Sequence, residues 1–226
     1  IMELSDRTLA VLKNYANINP NIVFEEGSNV RTVSVARNVF SRTTVSEQFP
    51  EGFGIYDLNE FLNVLGLVDK PVLSFEKDYV VVGDATGRSK VKYFYSDPDM
   101  LTSPSKDINL PEFEVKFVLD NGTLGRIKRA AQALGHNDIS IRPNNGSIQI
   151  SVLDTKDATS NAFTIDVDGS YEDGVDFNFV LNVNNLKIVN EDFEVNISKK
   201  LISQFKSVQS DIEYFIALEK SSTFGV

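Results

Sequence analysis

Cysteine and tryptophan are absent from the 226 residues, and histidine occurs once. Without cysteine there is no disulfide framework, no thiol nucleophile and no Cys-ligated zinc, and the composition suits a reducing cytoplasm. A single histidine cannot build a His-rich metal site. No apolar run approaches the roughly 18 residues of a membrane span, and Ile1–Ala10 does not read as a signal peptide. Positive charge is scarce as well: 22 Lys and Arg stand against 32 Asp and Glu, a net charge of −10. Such acidity argues against a simple nucleic-acid coat. It is compatible with a local basic face, because exposed charges are screened beyond roughly 8–10 Å.

What is present is ordinary globular material. Hydrophobic residues at 42% and charged residues at 24% exclude wholesale disorder, and the length allows one large domain or two smaller ones. Sixteen Phe among many Val, Ile and Thr lean toward β structure. One stretch departs from the acidic background. Leu119–His136 carries Arg126, Lys128 and Arg129 and no carboxylate after Asp120.

Along the chain, Ser5–Ile18 has helical spacing, with Ser5 or Asp6 as cap, Leu9, Leu12 and Ala16 inward, and Arg7, Ala10, Lys13 and Asn14 outward. Ile22–Phe24 is a short strand, and Val30 to Ile55 is strand-like. Asp57–Leu65 forms a second helix with a polar outer face, before strands at Val72–Phe75, Tyr79–Val82 and around Lys90–Tyr95. Ser96 to Pro111 holds three of the seven prolines and reads as a linker, which divides the chain into modules 1–110 and 111–226.

The second half repeats the order of the first. Glu112–Leu119 is a strand and Gly122–Gly135 a long helix. Strands follow at Ile139–Ile141, Ser147–Leu153 and Phe163–Val167. Val175–Leu181 leads to a short helix around Asn184–Val189, and strands at Phe193–Ile197, Leu201–Lys206 and Ile212–Leu218 end the chain. Ile55-Tyr56-Asp57-Leu58-Asn59-Glu60-Phe61 echoes Val180-Leu181-Asn182-Val183-Asn184-Asn185-Leu186. The expectation is one α+β module used twice, each with two helices. In the long helix, Leu124, Ile127, Ala131 and Leu134 point inward. Arg129 and Gln132 then point outward, with Arg126 and Lys128 on the flanks.

Chemical motifs are weak. Gly83–Lys90 superficially looks like a phosphate loop, but its Lys follows the Ser and no helix pattern succeeds it. Asp166, Asp168, Glu172, Asp173 and Asp176 surround Gly169, which is misplaced for a calcium loop. His136 beside Asp138 has no recognisable nucleophile, and a helix-capping role is the plainer one. The patterns at Asn121, Asn145 and Asn196 match glycosylation acceptors and read as incidental. No enzyme, metal or cofactor is expected.

The order and spacing of several stretches resemble the DNA sliding clamps of T-even-type bacteriophages. These are Leu4–Asn14 (LSDRTLAVLKN), Ile55–Leu62 (IYDLNEFL), Asp176–Asn182 (DFNFVLN) and Tyr214–Glu219 (YFIALE). The resemblance implies a DNA-clamp fold in a homotrimeric ring, with sheets outside and helices around a central hole that duplex DNA threads without sequence readout. It implies DNA-facing cations at Arg7, Lys13, Arg126, Lys128, Arg129 and Lys187. Ring closure would pair edge strands carrying Lys90, Lys92 and Phe94 on one subunit and Phe163, Ile165, Asp166 and Asp168 on the next. A partner-peptide pocket would involve Val39, Phe40, Leu101, Pro104, Ala217 and Leu218. Implied partners are a DNA polymerase, a clamp-loader ATPase and phage transcription factors, in the cytoplasm of an infected bacterium and without a membrane. The alternative is a β-rich viral structural or carbohydrate-binding protein whose repeat enlarges a sandwich and whose basic helix is ordinary surface.

Overall fold

A computed structural model describes residues 1–109 and 112–225. Leu110 and Pro111, the end of the expected linker and the expected module boundary, lie outside the described residues. The chain divides into two compact units, Ile1–Asp107 and Ile108–Val226.

The first unit opens on α1 (Asp6–Ile18). Ser5 Oγ accepts from the Thr8 amide at 3.1 Å, and Asp6 places a negative charge in the first turn, where the helix dipole favours it. The buried face comprises Thr8, Val11, Leu12, Tyr15, Ala16 and Ile18, while Leu9 is only half-buried. The core-facing side is thus turned by about a quarter-turn from the expected Leu9–Leu12–Ala16 stripe. The cause is that Thr8 and Tyr15 go inward with their hydroxyls satisfied. Thr8 donates to Glu47, and Ser41 Oγ donates to Tyr15 Oη at 2.9 Å.

Strands β1 (Ile22–Phe24), β2 (Gly27–Val33), β3 (Val39–Phe49) and β4 (Phe53–Ile55) follow, and α2 (Leu58–Leu65) buries Leu58, Phe61 and Leu65. Asp57 caps α2 by accepting from the Glu60 amide at 3.1 Å. A three-stranded meander, β5 (Val72–Phe75), β6 (Tyr79–Gly83) and β7 (Lys90–Phe94), completes the unit. Strand β1 pairs with β4 and β2 with β3, all antiparallel. Alternation delivers Phe24, Phe49 and Phe53 to one cluster, with ring centroids 4.7 Å apart for Phe24–Phe53 and 4.8 Å for Phe24–Phe49.

In the second unit, β8 (Val115–Leu119) leads into α3 (Asn121–Leu134). Asp120 caps α3 by accepting from the Thr123 amide at 2.7 Å. The helix ends where Gly135 adopts a left-handed backbone, φ 68°, and the His136 amide returns to Ala131 O at 3.0 Å. Then come β9 (Asp138–Asn144), β10 (Ser147–Leu153), β11 (Phe163–Val167), β12 (Gly169–Ser170) and β13 (Phe177–Asn182). The chain closes with β14 (Phe193–Ser198), β15 (Ile202–Ser207), β16 (Glu213–Ala217) and β17 (Thr223–Phe224).

These strands form two antiparallel arrays, ordered β11-β10-β9-β13-β17 and β12-β8-β14-β15-β16. Leu124 and Ile127 of α3 close over Phe117, Ile139, Ile141, Ile150, Leu181 and Phe205, leaving a void of about 10 Å³. That is close-packed, with room for no more than about one water molecule. At Gly169 any Cβ would lie 2.2 Å from Ile148 Cδ1 and 2.7 Å from Lys116 O. Glycine there lets β12 reach β8, which accounts for its place in the acidic stretch.

The second helix expected in this unit does not form. The short helix around Asn184–Val189 is a single 3-10 turn, Val183–Asn185, so the second unit has one α-helix among the described residues instead of two. Asn182 accepts from the Asn184 amide at 2.9 Å, as Asp57 does for α2, but the following Leu186, Lys187 and Ile188 alternate buried, exposed, buried. That is the period of extended chain. Two adjacent asparagines, which are poor helix formers, do not oppose it.

Candidate functional site

The basic face of α3 follows from its core face. With Leu124, Ile127 and Ala131 buried and Leu134 half-buried, Arg126, Arg129 and Gln132 stand exposed. Lys128 is half-buried, and burial pulls its ammonium below the ordinary lysine value. Arg129 lies back along its own helix, with Nη1 3.1 Å from where a Cβ on Gly125 would be. Arg126 is placed differently: its guanidinium sits 5.7 Å from the centroid of Phe163 on β11. It joins the helix to the edge strand as well as presenting charge. On α1, Arg7 and Lys13 are exposed as expected. Lys187 is exposed too, but on extended chain beyond the 3-10 turn and not on a helix.

The helix carrying Arg7 is fixed at its first turn by Glu47 of β3. The Ser5 amide donates to Glu47 Oε1 and the Thr8 hydroxyl to Oε2. Burial pushes this carboxyl up, but the donors from Ser5 and Thr8 outweigh it and hold Glu47 below the ordinary value. Sequence inspection missed Glu47. A lone Glu in an alternating strand has no signal of its own, although it falls on the inward parity of Val45 and Phe49.

Two of the strands that end a sheet carry the charged residues of interest. Strand β7 pairs with β6 only and β11 with β10 only. Lys90, Lys92 and Phe94 are exposed on β7, with Phe94 at 63%, and Val91 and Tyr93 are half-buried. Lys92 Nζ stands 4.4 Å above the Tyr79 ring. Tyr93 ties the edge to α2 by donating to Glu60 Oε1 at 2.9 Å, and burial together with that carboxylate pushes the phenol up. On the other edge, Thr164, Asp166 and the following Asp168 are exposed, and Phe163, Ile165 and Val167 half-buried. The tip Asp84–Ser89 between β6 and β7 is a turn in which Asp84 accepts from Thr86, Arg88 and Ser89.

Of the expected pocket residues in the first unit, Val39 and Phe40 are buried, each 3% exposed, while Leu101 and Pro104 are half-buried. Val39 and Phe40 can therefore form a floor but not walls. In the second unit Ala217 is half-buried and Leu218 buried. The connector is fastened to the first unit: Thr102 donates to Asn21 Oδ1 at 3.1 Å, and Asn19 Nδ2 donates to both Thr102 O and Val33 O. That brings it beside the turn Ser34–Asn38, whose Val35 is 68% exposed. Val35 falls in the stretch Val30 to Ile55 expected to be strand-like, where a turn instead separates β2 from β3. His136, read as a helix cap, closes α3 through its backbone. Its ring Nε2 meets Asn161 O at 2.7 Å.

Comparison with known proteins decides the family. Residues 5–99 match the family described as DNA polymerase processivity factor, and residues 113–220 match the family described as gp45 sliding clamp, C terminal. The Sliding clamp of Vibrio phage KVP40 is 34% identical over 96% of this chain and 99% of its own length. This chain belongs to the sliding-clamp family.

Further clamps agree. Those of Escherichia phage RB69 and Enterobacteria phage T4 are 29% and 27% identical over 98% of this chain and 99% of theirs. The clamp fold is independently visible in solved structures. PCNA of A. fulgidus, bound in that structure to the C-terminal region of FEN-1, superposes with TM-score 0.71 at 16% identity, covering 98% of both chains. The Entamoeba histolytica proliferating cellular nuclear antigen gives 0.68 at 13%, covering 93% and 94%. The chain is an α+β clamp whose function is that of a DNA polymerase processivity factor. The reading as a structural or carbohydrate-binding protein finds no support in these likenesses.

Proposed function

We propose that three copies of this clamp close into a ring around duplex DNA and tether a replicative DNA polymerase, without catalysing a reaction themselves. The observation that carries the DNA role is that the long helix of each unit turns its cations away from its core. Arg7 and Lys13 do so on α1 and Arg126 and Arg129 on α3, in a chain of net charge −10. Lys128 and Lys187 supplement them. Contact through such side chains reaches phosphates and not base edges, so binding is salt-dependent, non-specific and mobile. Carboxylates elsewhere on the surface would repel DNA from every face but this one.

Ring closure is assigned to β7 of one subunit and β11 of the next. An antiparallel alignment sets Lys90 opposite Asp168, Lys92 opposite Asp166 and Phe94 opposite Thr164. The same alignment sets Val91 against Val167 and Tyr93 against Ile165. Exposed residues meet exposed ones, half-buried meet half-buried, and both charge pairs are of opposite sign. A parallel alignment would instead bring the aspartates toward Phe94.

The polymerase is proposed to bind through a short apolar peptide at the connector face of the first unit, where Leu101, Pro104 and Val35 offer apolar surface. A clamp-loader ATPase and phage transcription factors would be further partners, and the clamp would act in the cytoplasm of the infected bacterium. The test is direct. The solution mass is expected at three times 25.2 kDa. Arg126, Lys128 and Arg129 changed together to Ala should shorten polymerase products while the circular-dichroism melt stays cooperative. Products of unchanged length would remove the DNA role given to α3.

A further inference from the structure

Among the described residues, Arg126 is the only cation of α3 that meets an aromatic ring. Its guanidinium lies over the Phe163 ring, 5.7 Å from the centroid. The attraction is to the face of the ring, which takes no ordinary hydrogen bond, so the five N–H donors of the guanidinium stay available. None of them has a hydrogen-bond or ion-pair partner among the described residues, and the side chain is exposed. Arg129 is oriented otherwise, lying back along its own helix beside Gly125. For Arg126 alone on this helix, the direction of the charge is set by a residue from another element.

The ring that sets it is itself fixed. Phe163 opens β11 opposite Val152 of β10 and is half-buried, and the next residue, Thr164, shares a hydroxyl hydrogen bond of 3.0 Å with Ser151. On the other side, the Asn161 carbonyl meets His136 Nε2 at 2.7 Å, just past the end of α3. Phe163 therefore stands between an anchored strand and a loop tied to the same helix that carries Arg126. An unrestrained arginine samples many rotamers and loses that freedom when it docks on a phosphate. A ring that already confines the side chain reduces this loss and strengthens the contact.

We propose that Phe163 is a positioning residue for DNA: its ring confines the Arg126 guanidinium beside α3 with its N–H donors free for a backbone phosphate. This rests on the DNA role given to α3 and adds to it. An aromatic side chain that touches no DNA sets the strength of one phosphate contact.

The test uses the full chain and a short fluorescent duplex at low salt, read by anisotropy. Phe163→Leu keeps apolar bulk and removes the ring. It should weaken binding about two- to fivefold for each subunit in contact, the range that an exposed cation–π interaction represents. The slope of affinity against salt should stay as in the wild type, because the same phosphates are met, whereas Arg126→Ala should lower it. Phe163→Tyr keeps a ring face and should recover the affinity that Phe163→Leu loses. In the Arg126→Ala background, Phe163→Leu should cause no further loss. Equal losses in both backgrounds would overturn the proposal, because the effect would then run through the edge strand and not through Arg126. Wild-type affinity in Phe163→Leu would overturn it as well, while leaving the DNA role of α3 intact. If Arg126→Ala itself binds like the wild type, the DNA role of Arg126 falls and this proposal with it. Without DNA, the Arg126 Nε–H resonance should carry a ring-current shift that Phe163→Leu abolishes. A resonance that does not move would show that the ring does not hold the guanidinium in solution.

Discussion

At the scale of single residues, Glu47 is the side chain on which the placement of α1, the helix proposed to face DNA in the first unit, turns. It is 7% exposed and takes two donors from the first turn of α1. Removing it by Glu47→Ala leaves the Ser5 amide and the Thr8 hydroxyl without their acceptor, at a cost of roughly 1–3 kcal/mol. Glu47→Gln retains one acceptor and should cost less. Because the folded carboxyl is held below its ordinary value of 4.5, its contribution is complete above that pH and fades as pH falls through the folded value. The melting-temperature gap between wild type and Glu47→Gln should therefore be constant near neutrality and narrow in acid. A gap that stays constant down to pH 3 would mean that the charge of Glu47 contributes nothing. Arg7 sits one residue from Thr8, so loosening this anchor should also weaken DNA retention at pH values where the fold persists.

At the scale of elements, α3 shows why some parts were legible from the sequence and others were not. Its start and stop are written in local chemistry: Asp120 as cap, Gly135 as the left-handed stop, and Leu124, Ile127 and Ala131 at helical spacing between them. Asp120→Ala should cost about 1 kcal/mol of stability, and Asp120→Asn much less, as read from urea midpoints at unchanged slope. Equal losses for the two would show that charge and not capping matters there. The face of α1 was harder to read because Thr8 and Tyr15 go inward, and their burial depends on Glu47 and Ser41, distant in sequence. The 3-10 turn at Val183–Asn185 was misread because the echo of α2 extends through its cap but not through its apolar stripe. The basic face of α3 was visible as a charge anomaly, and the edge strands as charged alternation. The Arg126–Phe163 contact was invisible, since it joins segments that only the fold brings together.

At the scale of the whole molecule, the distribution of charge between two edge strands bears on how many subunits a ring can hold. Lys90 and Lys92 on β7 face Asp166 and Asp168 in the proposed alignment, and cross-strand opposite charges are worth roughly 0.2–1 kcal/mol per pair. Turning both pairs repulsive, as Lys90→Asp with Lys92→Asp would, shifts each interface by roughly 1–4 kcal/mol. In dilute solution that should be enough to leave monomers, and Asp166→Lys with Asp168→Lys should do the same. All four substitutions in one chain restore complementarity at every interface, and the mass should return to three times 25.2 kDa. A mixture of the two half-swapped chains separates a ring of three from a ring of even number. Complementary contacts then form only between unlike chains, and an odd ring cannot alternate, so one interface would always join like charges. The mixture should stop at open, partly associated species. A closed assembly of even number in the mixture would overturn the trimer, and a four-fold swap that stays monomeric would overturn the strand pairing itself.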